Sequence, residues 1–203
     1  MYIPEIYKNA DKKEIEKFIH DNGFGILINI SEGKPFATHI PLLLTKKDKS
    51  KLLIGHISKE NPQSKSLINN KDVLVIFNGP HAYISSSWYD HENVPTWNYI
   101  AVHIYGTLKI HDWNETLDGL EKLIDKYEVN SSNPVKLKKL SEETMLQAKG
   151  IVSFEIKIKS IEAIKKLSQN RDDKNYINII NELEKTNDNQ NINLANEMKN
   201  NRF

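Results

Sequence analysis

The sequence predicts an α+β fold, mainly β: an antiparallel barrel of six or seven strands with helices at its periphery. Three observations lead there. Short β-rich apolar runs follow one another through tight turns, in hairpin order. Strands do not alternate with long helices, which argues against a doubly wound parallel sheet. Helical patterns are inserted between groups of strands or appended after them. With 203 residues and neither a linker nor an internal repeat, the chain reads as a single domain over 1–203, its last helices at about 173–201.

Taken in order, the opening MYIP is extended, because Pro4 keeps Ile3 out of the helical region. From Asp11 to Asp21, Ile15, Phe18 and Ile19 recur at helical spacing; Asp11 caps this helix, Glu14 completes a capping box, and Asn22 and Gly23 stop it. Phe24–Ser31 and Pro35–Thr45 are strands joined by a turn at Glu32–Gly33. On the second strand, alternation sets Phe36, Thr38, Ile40, Leu42 and Leu44 on one face and Ala37, His39 and Leu43 on the other. Pro41 cannot donate to a ladder, so an edge or bulge belongs near it. Lys51–Ser58 is the third strand. Asn61 as cap and Pro62 in the first turn start a short helix that ends near Asn69. Asp72–Asn78 is a buried strand, Gly79 and Pro80 break it, and Ala82–Ser85 is another. Asn98–His111 is a long strand with Tyr99, Ala101, His103 and Tyr105 on one face. Helices cover Asn114–Glu128 and Ser141–Lys149, and Ile151–Ile158 is the final strand. Lys165–Arg171 is a polar loop and Asp173–Lys185 an amphipathic helix. The asparagine-rich tail from Thr186 is either a marginal helix docked through Leu194 and Met198, or frayed.

Composition narrows the function. Apolar residues make up 38% and charged residues 27%, as in globular proteins. The net charge of +1 gives no broad electrostatic footprint for nucleic acid. The chain has no cysteine, which excludes disulfides, thiolate metal sites, iron–sulfur clusters and a cysteine nucleophile. No apolar run reaches membrane-span length and the start has no leader pattern, so the expectation is a cytoplasmic protein that meets no membrane.

Five constellations bear on chemistry. The stretch Val73–Thr107 packs Tyr83, Tyr89, Tyr99, Tyr105, Trp88 and Trp97 beside serines and amides. Flat faces with nearby donors suit a planar polar ligand; the same aromatics would also serve to fill a β core. His39, His56, His81 and His103 stand near strands but in no ligand spacing, so they read as hydrogen-bonding groups and no metal is expected. Ser58, Lys59 and a helix starting at Asn61 combine a hydroxyl, an ammonium and free backbone N–H groups, which favour a phosphate; a capped surface helix beside a lysine is the plainer reading. Ser85-Ser86-Ser87 lacks the elbow of a serine hydrolase. Ser168-Gln169-Asn170-Arg171 offers amide and guanidinium donors on a loop.

In their order, MYIP, ATHIPLLL, GHISKENPQ, VLVIFNGPHAYIS-x-SWY, VPTWNY, VHIYG, KGIVSFEI and KLSQNR resemble the PaiB-type family of FMN-binding negative transcriptional regulators, over about Met1 to Ile180. The resemblance implies a split β-barrel of the kind found in pyridoxamine-phosphate oxidases, and a homodimer holding FMN at the subunit interface. By the same resemblance, Ser58, Lys59 and Asn61 bind the phosphate, and His39 and His56 face the ribityl chain or flavin edge. Trp88, Trp97 and Asn98 pack against or hydrogen-bond the isoalloxazine, Tyr83, Ser85 and Ser87 also bind the cofactor, and Gln169 and Arg171 reach the partner's flavin. Ser86 stands where the family usually has proline, Ser153 where glycine is expected, and the loop Asp90–Asn93 is short and lacks a lysine. The function implied is that of a regulator. The alternative is an FMN-dependent oxidoreductase acting on a small molecule. Direct DNA reading has no helix-turn-helix or basic arm to rest on; a DNA surface would draw on Lys46–Lys51 or Lys136–Lys139.

Overall fold

Six strands form one sheet: β1 Phe24–Ser31, β2 Lys34–Lys47, β3 Ser50–Ser58, β4 Asp72–Ile84, β5 Thr96–Ile110 and β6 Ile151–Lys166. They are hydrogen-bonded in the order β1-β2-β3-β6-β5-β4, and β4 returns to β1 to close a barrel. The computed structural model describes residues 1–48 and 50–202; Lys49, inside the lysine-rich stretch 46–51, lies outside the described residues. By its contacts the chain divides into two compact units. A barrel unit comprises Ile19–Phe77 and Ile104–Ile161; a helical unit comprises Met1–Phe18, Asn78–His103 and the chain from Glu162 onward.

In the barrel unit the register follows from the hydrophobic pattern. Gly25, Leu27 and Asn29 of β1 are buried, while Phe24, Ile26, Ile28 and Ile30 face outward, half-buried or exposed. Across the ladder Ile26 pairs with His39 and Ile28 with Ala37, so His39 shares the outer face. Pro41 lies opposite Phe24 at the end of the β1 ladder, and the β3 ladder opens one residue later with Leu42 opposite Gly55. The proline's missing N–H therefore falls where β2 passes from one neighbour to the next, as the edge expected near it requires. Leu27, Leu42, Leu53, Ile104, Phe154 and Ile156 fill the interior. Burying each is worth about 1.5–3 kcal/mol relative to exposure. Gly106 is held to glycine by packing: a Cβ there would stand 2.6 Å from the Lys157 carbonyl oxygen and 2.5 Å from Ile156 Cγ2. Helix α2, Trp113–Glu128, starts at Asp112, which accepts from Glu115 N at 2.8 Å while Glu115 Oε2 accepts from Asp112 N at 3.2 Å, a closed capping box.

The helical unit has its own apolar cluster. Helices α4, Asp173–Lys185, and α5, Asn189–Arg202, bring Tyr176, Ile179, Leu183, Leu194 and Met198 onto Ala82, Ile84, Ile100 and Leu167. Leu194 and Met198 are fully buried, and Tyr176 Oη donates to the Met198 carbonyl oxygen at 2.7 Å, so the tail is docked rather than frayed.

Several expectations change. Asp11 does cap α1, Lys12–Asp21, accepting from Lys13 N and Glu14 N. The box stays open, however: Glu14 turns to Asn9 and Lys165, and Asp11 N bonds Asn9 Oδ1. The helix expected from Asn61 to Asn69 is a five-residue 3-10 turn, Pro62–Ser66, because Gln63 drops into the barrel before a second turn forms. Gly79 and Pro80 do not break β4. The β1 ladder ends at Ile76, so Pro80 forfeits no bond to it, and Gly79 admits the Phe18 ring, 2.6 Å from where a Cβ would stand. The segment Ser141–Lys149 divides into α3, Glu142–Leu146, and a 3-10 turn. Finally, β6 runs eight residues past Ile158, to Lys166. Its partner is the chain start, where Lys8 bridges to Ile164 and Asn9 N donates to the Ala163 carbonyl oxygen at 3.0 Å.

Candidate functional site

The predicted site residues fall in two sets, one in each unit. The barrel set sits where β3 ends. His56 and Ser58 are two residues apart on β3 and share a face. The register sets His56 opposite Ser153 of β6, and its Nδ1 is buried without a hydrogen-bond partner. Burial holds the His56 imidazole below the ordinary histidine value, so the ring is neutral at neutral pH. Ser58 Oγ accepts from Glu60 N at 3.1 Å. Lys59 is anchored at both ends to the opposite loop: its N–H donates to the Gly150 carbonyl oxygen at 2.8 Å and its ammonium to that of Lys149. Asn61 is fully engaged, accepting from Gln63 N at 2.9 Å and donating to Thr38 Oγ1 at 3.1 Å, so it shapes the loop. His39 is exposed on β2 and stacks on Phe24, ring centroids 6.1 Å apart.

Two supports of this set escaped the sequence reading. Gln63, 1% exposed, donates through Nε2 to the Leu27 carbonyl oxygen at 3.1 Å and to Asn29 Oδ1 at 2.8 Å; Asn29 in turn donates to Ser66 Oγ at 2.9 Å. This buried chain ties the turn after Lys59 to the barrel wall. The second support is His111, which lies 3.1 Å by Nδ1 from Ser153 Oγ and 3.5 Å by Nε2 from Glu155. The serine that departs from the expected glycine thus fixes an imidazole. Both residues line a cavity of about 320 Å³ together with Lys59, Trp113, Thr116 and Lys149. Departure from a motif was the signal for Ser153; nothing local marked Gln63.

The second set lies in the helical unit. Trp97 and Tyr83 are about half exposed, 54% and 48%, and meet edge to face at 6.1 Å. His81 flanks Trp97 at 6.2 Å, with Nδ1 3.1 Å from the Gly79 carbonyl oxygen; that makes Nδ1 the protonated nitrogen. Tyr83 and Trp97 therefore do not fill the core, whereas Tyr89 and Trp88 pack with it. Ser85 and Ser87 bond each other at 2.8 Å. Asn98 offers no free amide donor to a ligand: it is fully buried, with Nδ2 on Ser168 Oγ at 3.0 Å and on Met198 Sδ at 3.7 Å. Gln169 is likewise spent on its own turn, accepting from Leu167 N and donating to the Lys165 carbonyl oxygen. Arg171 lies over the Tyr89 ring, its guanidinium carbon 5.0 Å from the centroid. The short loop after Trp88 is pinned by Asp90, which accepts from Asn175 Nδ2 at 2.9 Å and pairs with Lys174 at 2.8 Å. Lys174, His91 and Asn175 together hold the Asp90 carboxyl well below the usual carboxylate range.

Among the described residues no group of three or more His, Cys, Asp or Glu is placed to hold a metal ion, and no helix is long and apolar enough to cross a membrane.

The closed six-stranded sheet with appended helices defines a split barrel. Two solved structures share the fold: the FAD and heme binding protein of Mycobacterium smegmatis, TM-score 0.62 at 13% identity over 84% of this chain and 78% of that one; and the flavocytochrome of Azotobacter vinelandii, TM-score 0.62 at 12% identity over 87% and 78%. The model of the family described as "Putative FMN-binding domain" matches residues 1–160, and the chain belongs to that family, whose cofactor is FMN. It is similar to the protease synthase and sporulation protein PAI 2 of Bacillus subtilis, 46% identical over 185 residues, which cover 91% of this chain and 89% of that protein.

Proposed function

We propose that this chain binds FMN at the interface of a homodimer and acts as a regulator of the PaiB type, with flavin occupancy as its signal. The observation that carries the reading is the unpartnered, buried Nδ1 of His56, on the same face of β3 as the Ser58 hydroxyl and just before the Lys59 ammonium. An imidazole nitrogen for a ribityl hydroxyl, followed by a hydroxyl and a cation for a phosphate, is the donor set that a ribityl phosphate needs. The residues present therefore fit the cofactor. Lys59 would hold the phosphate, and Ser58 and His56 the chain leading to it. Bound FMN supplies redox chemistry, while the protein binds and orients it.

The dimer is supported by the outer face of β1. Phe24 and Ile30 are 65% and 71% exposed, with Ile26 and Ile28 between them and His39 stacked on Phe24. A continuous outward apolar strip of this kind is what an obligate interface covers. The name of the Bacillus subtilis relative concerns protease synthesis and sporulation; carried to this chain, it favours control over metabolism.

Titrating the protein into FMN and following flavin fluorescence tests the reading. Saturable quenching, weakened about tenfold or more by Lys59→Ala, is the expected result, since one charge-assisted bond is worth about 1.5–3 kcal/mol. Unchanged affinity in Lys59→Ala would remove the phosphate assignment. Light scattering of Phe24→Glu should show a monomer where the parent chain shows a dimer.

A further inference from the structure

We propose that Lys166 and Arg171 form a site for the oxyanion of a small molecule other than the flavin, with the Thr96 hydroxyl and the Tyr89 ring beside them. Both side chains stand at the ends of one tight turn. Ser168 takes a positive φ of 60°, Arg171 N donates to the Ser168 carbonyl oxygen at 3.0 Å, and the Gln169 amide closes the loop from inside. The turn therefore returns Arg171 towards the end of β6, where Lys166 is half-buried and donates to Thr96 Oγ1.

Among the described residues neither cation has a counter-ion. The carboxylates next to Tyr89 and Arg171 in sequence are committed elsewhere: Asp90 to Lys174 and Asn175, Asp172 to the N-terminus of α4 and to Asn175 Nδ2, Asp173 to Arg202. Arg171 lies over Tyr89, and its side-chain N–H groups make no hydrogen bond among the described residues. A guanidinium that stacks by its face keeps its in-plane donors for a planar oxyanion. Tyr89 beneath it is only 8% exposed, and its hydroxyl is also unpartnered. Two adjacent uncompensated cations repel each other; burial and then Arg171 hold the Lys166 ammonium below the ordinary lysine value, and a bound anion would relieve both effects. The planar fork of the guanidinium favours a molecule carrying a carboxylate, or a phosphate ester.

Calorimetric titration of benzoate and of inorganic phosphate into the full chain, at constant ionic strength and with and without FMN, tests this. Saturable binding of at least one anion is expected, weakened tenfold or more in Lys166→Gln and abolished in Lys166→Gln/Arg171→Gln. Arg171→Lys keeps the charge and loses the fork, so it should weaken benzoate more than phosphate. Stronger binding of benzoate would mark the ligand as a carboxylate, stronger binding of phosphate as a phosphate ester. The proposal is overturned if neither anion binds, if Lys166→Gln binds within twofold of the parent chain, or if FMN abolishes anion binding, which would give the pair to the flavin. Because the titration is also run without FMN, its outcome is separable from that of the flavin reading.

Discussion

Replacing Gln63 by alanine tests how the barrel holds the loop that bears Lys59. The amide is 1% exposed and its Nε2 makes two short bonds, to the Leu27 carbonyl oxygen at 3.1 Å and to Asn29 Oδ1 at 2.8 Å, besides a long one to the Phe36 carbonyl oxygen at 3.5 Å. Each buried bond contributes about 0.5–1.5 kcal/mol net, and stranding Asn29 Oδ1 without water costs about 1–3 kcal/mol more. The sum, about 4 kcal/mol at the centre of those ranges, excludes the small cavity left by the shortened side chain. For a chain of this size each kcal/mol moves the midpoint by about 2–4 °C, so Tm should fall by about 8–16 °C. Urea unfolding should show the same loss as a lower midpoint with little change in slope. FMN affinity should fall as well, because the turn 62–66 that follows Lys59 loses its tether. A change in stability below about 0.5 kcal/mol, the level of an ordinary surface substitution, would refute the claim that this amide fastens the loop.

Three further outcomes follow from other parts of the structure. Gly106→Ala should cost about 1–3 kcal/mol or more in thermal unfolding, since its Cβ would meet the Lys157 backbone at 2.6 Å and that backbone has nowhere to move. Met198→Ala empties a fully buried position and should cost about 2–5 kcal/mol, with α5 becoming the first site of limited proteolysis. Stability should decline as pH falls below about 6.5, because burial lowers the folded pKa of both His56 and His103, and the unfolded chain takes up protons first. That loss continues until pH passes the folded values, and pH-dependent melts of His56→Gln and His103→Gln should each lack part of the slope.

Much of the fold was legible because local pattern and tertiary role agree. The pattern gives β1 and α4 at their observed bounds, and the alternation on β2 sets Ile40 and Leu42 on the face opposite His39, as the structure has them. What was not legible depended on distant partners. The end of β6 reads as a polar connection until Lys8 and Asn9 pair with it from the chain start. Asn61-Pro62 is a sound helix start, but a buried glutamine two residues later overrules it. At the site, residue types pointed to the neighbourhood while hydrogen bonds decided the roles. Asn61 and Asn98 look like ligand donors in sequence, and both amides are spent inside the protein. Lys166 sits in a polar run without distinguishing pattern; its significance appears only when Arg171 is seen at the other end of the turn.

The most direct test of the account compares FMN with riboflavin, which lacks the phosphate, in equilibrium binding to the parent chain and to Lys59→Ala. The account predicts FMN binding at least tenfold tighter than riboflavin, as expected for one charge-assisted contact, and Lys59→Ala narrowing that gap while leaving riboflavin affinity unchanged. Equal affinity for the two flavins in the parent chain would contradict it.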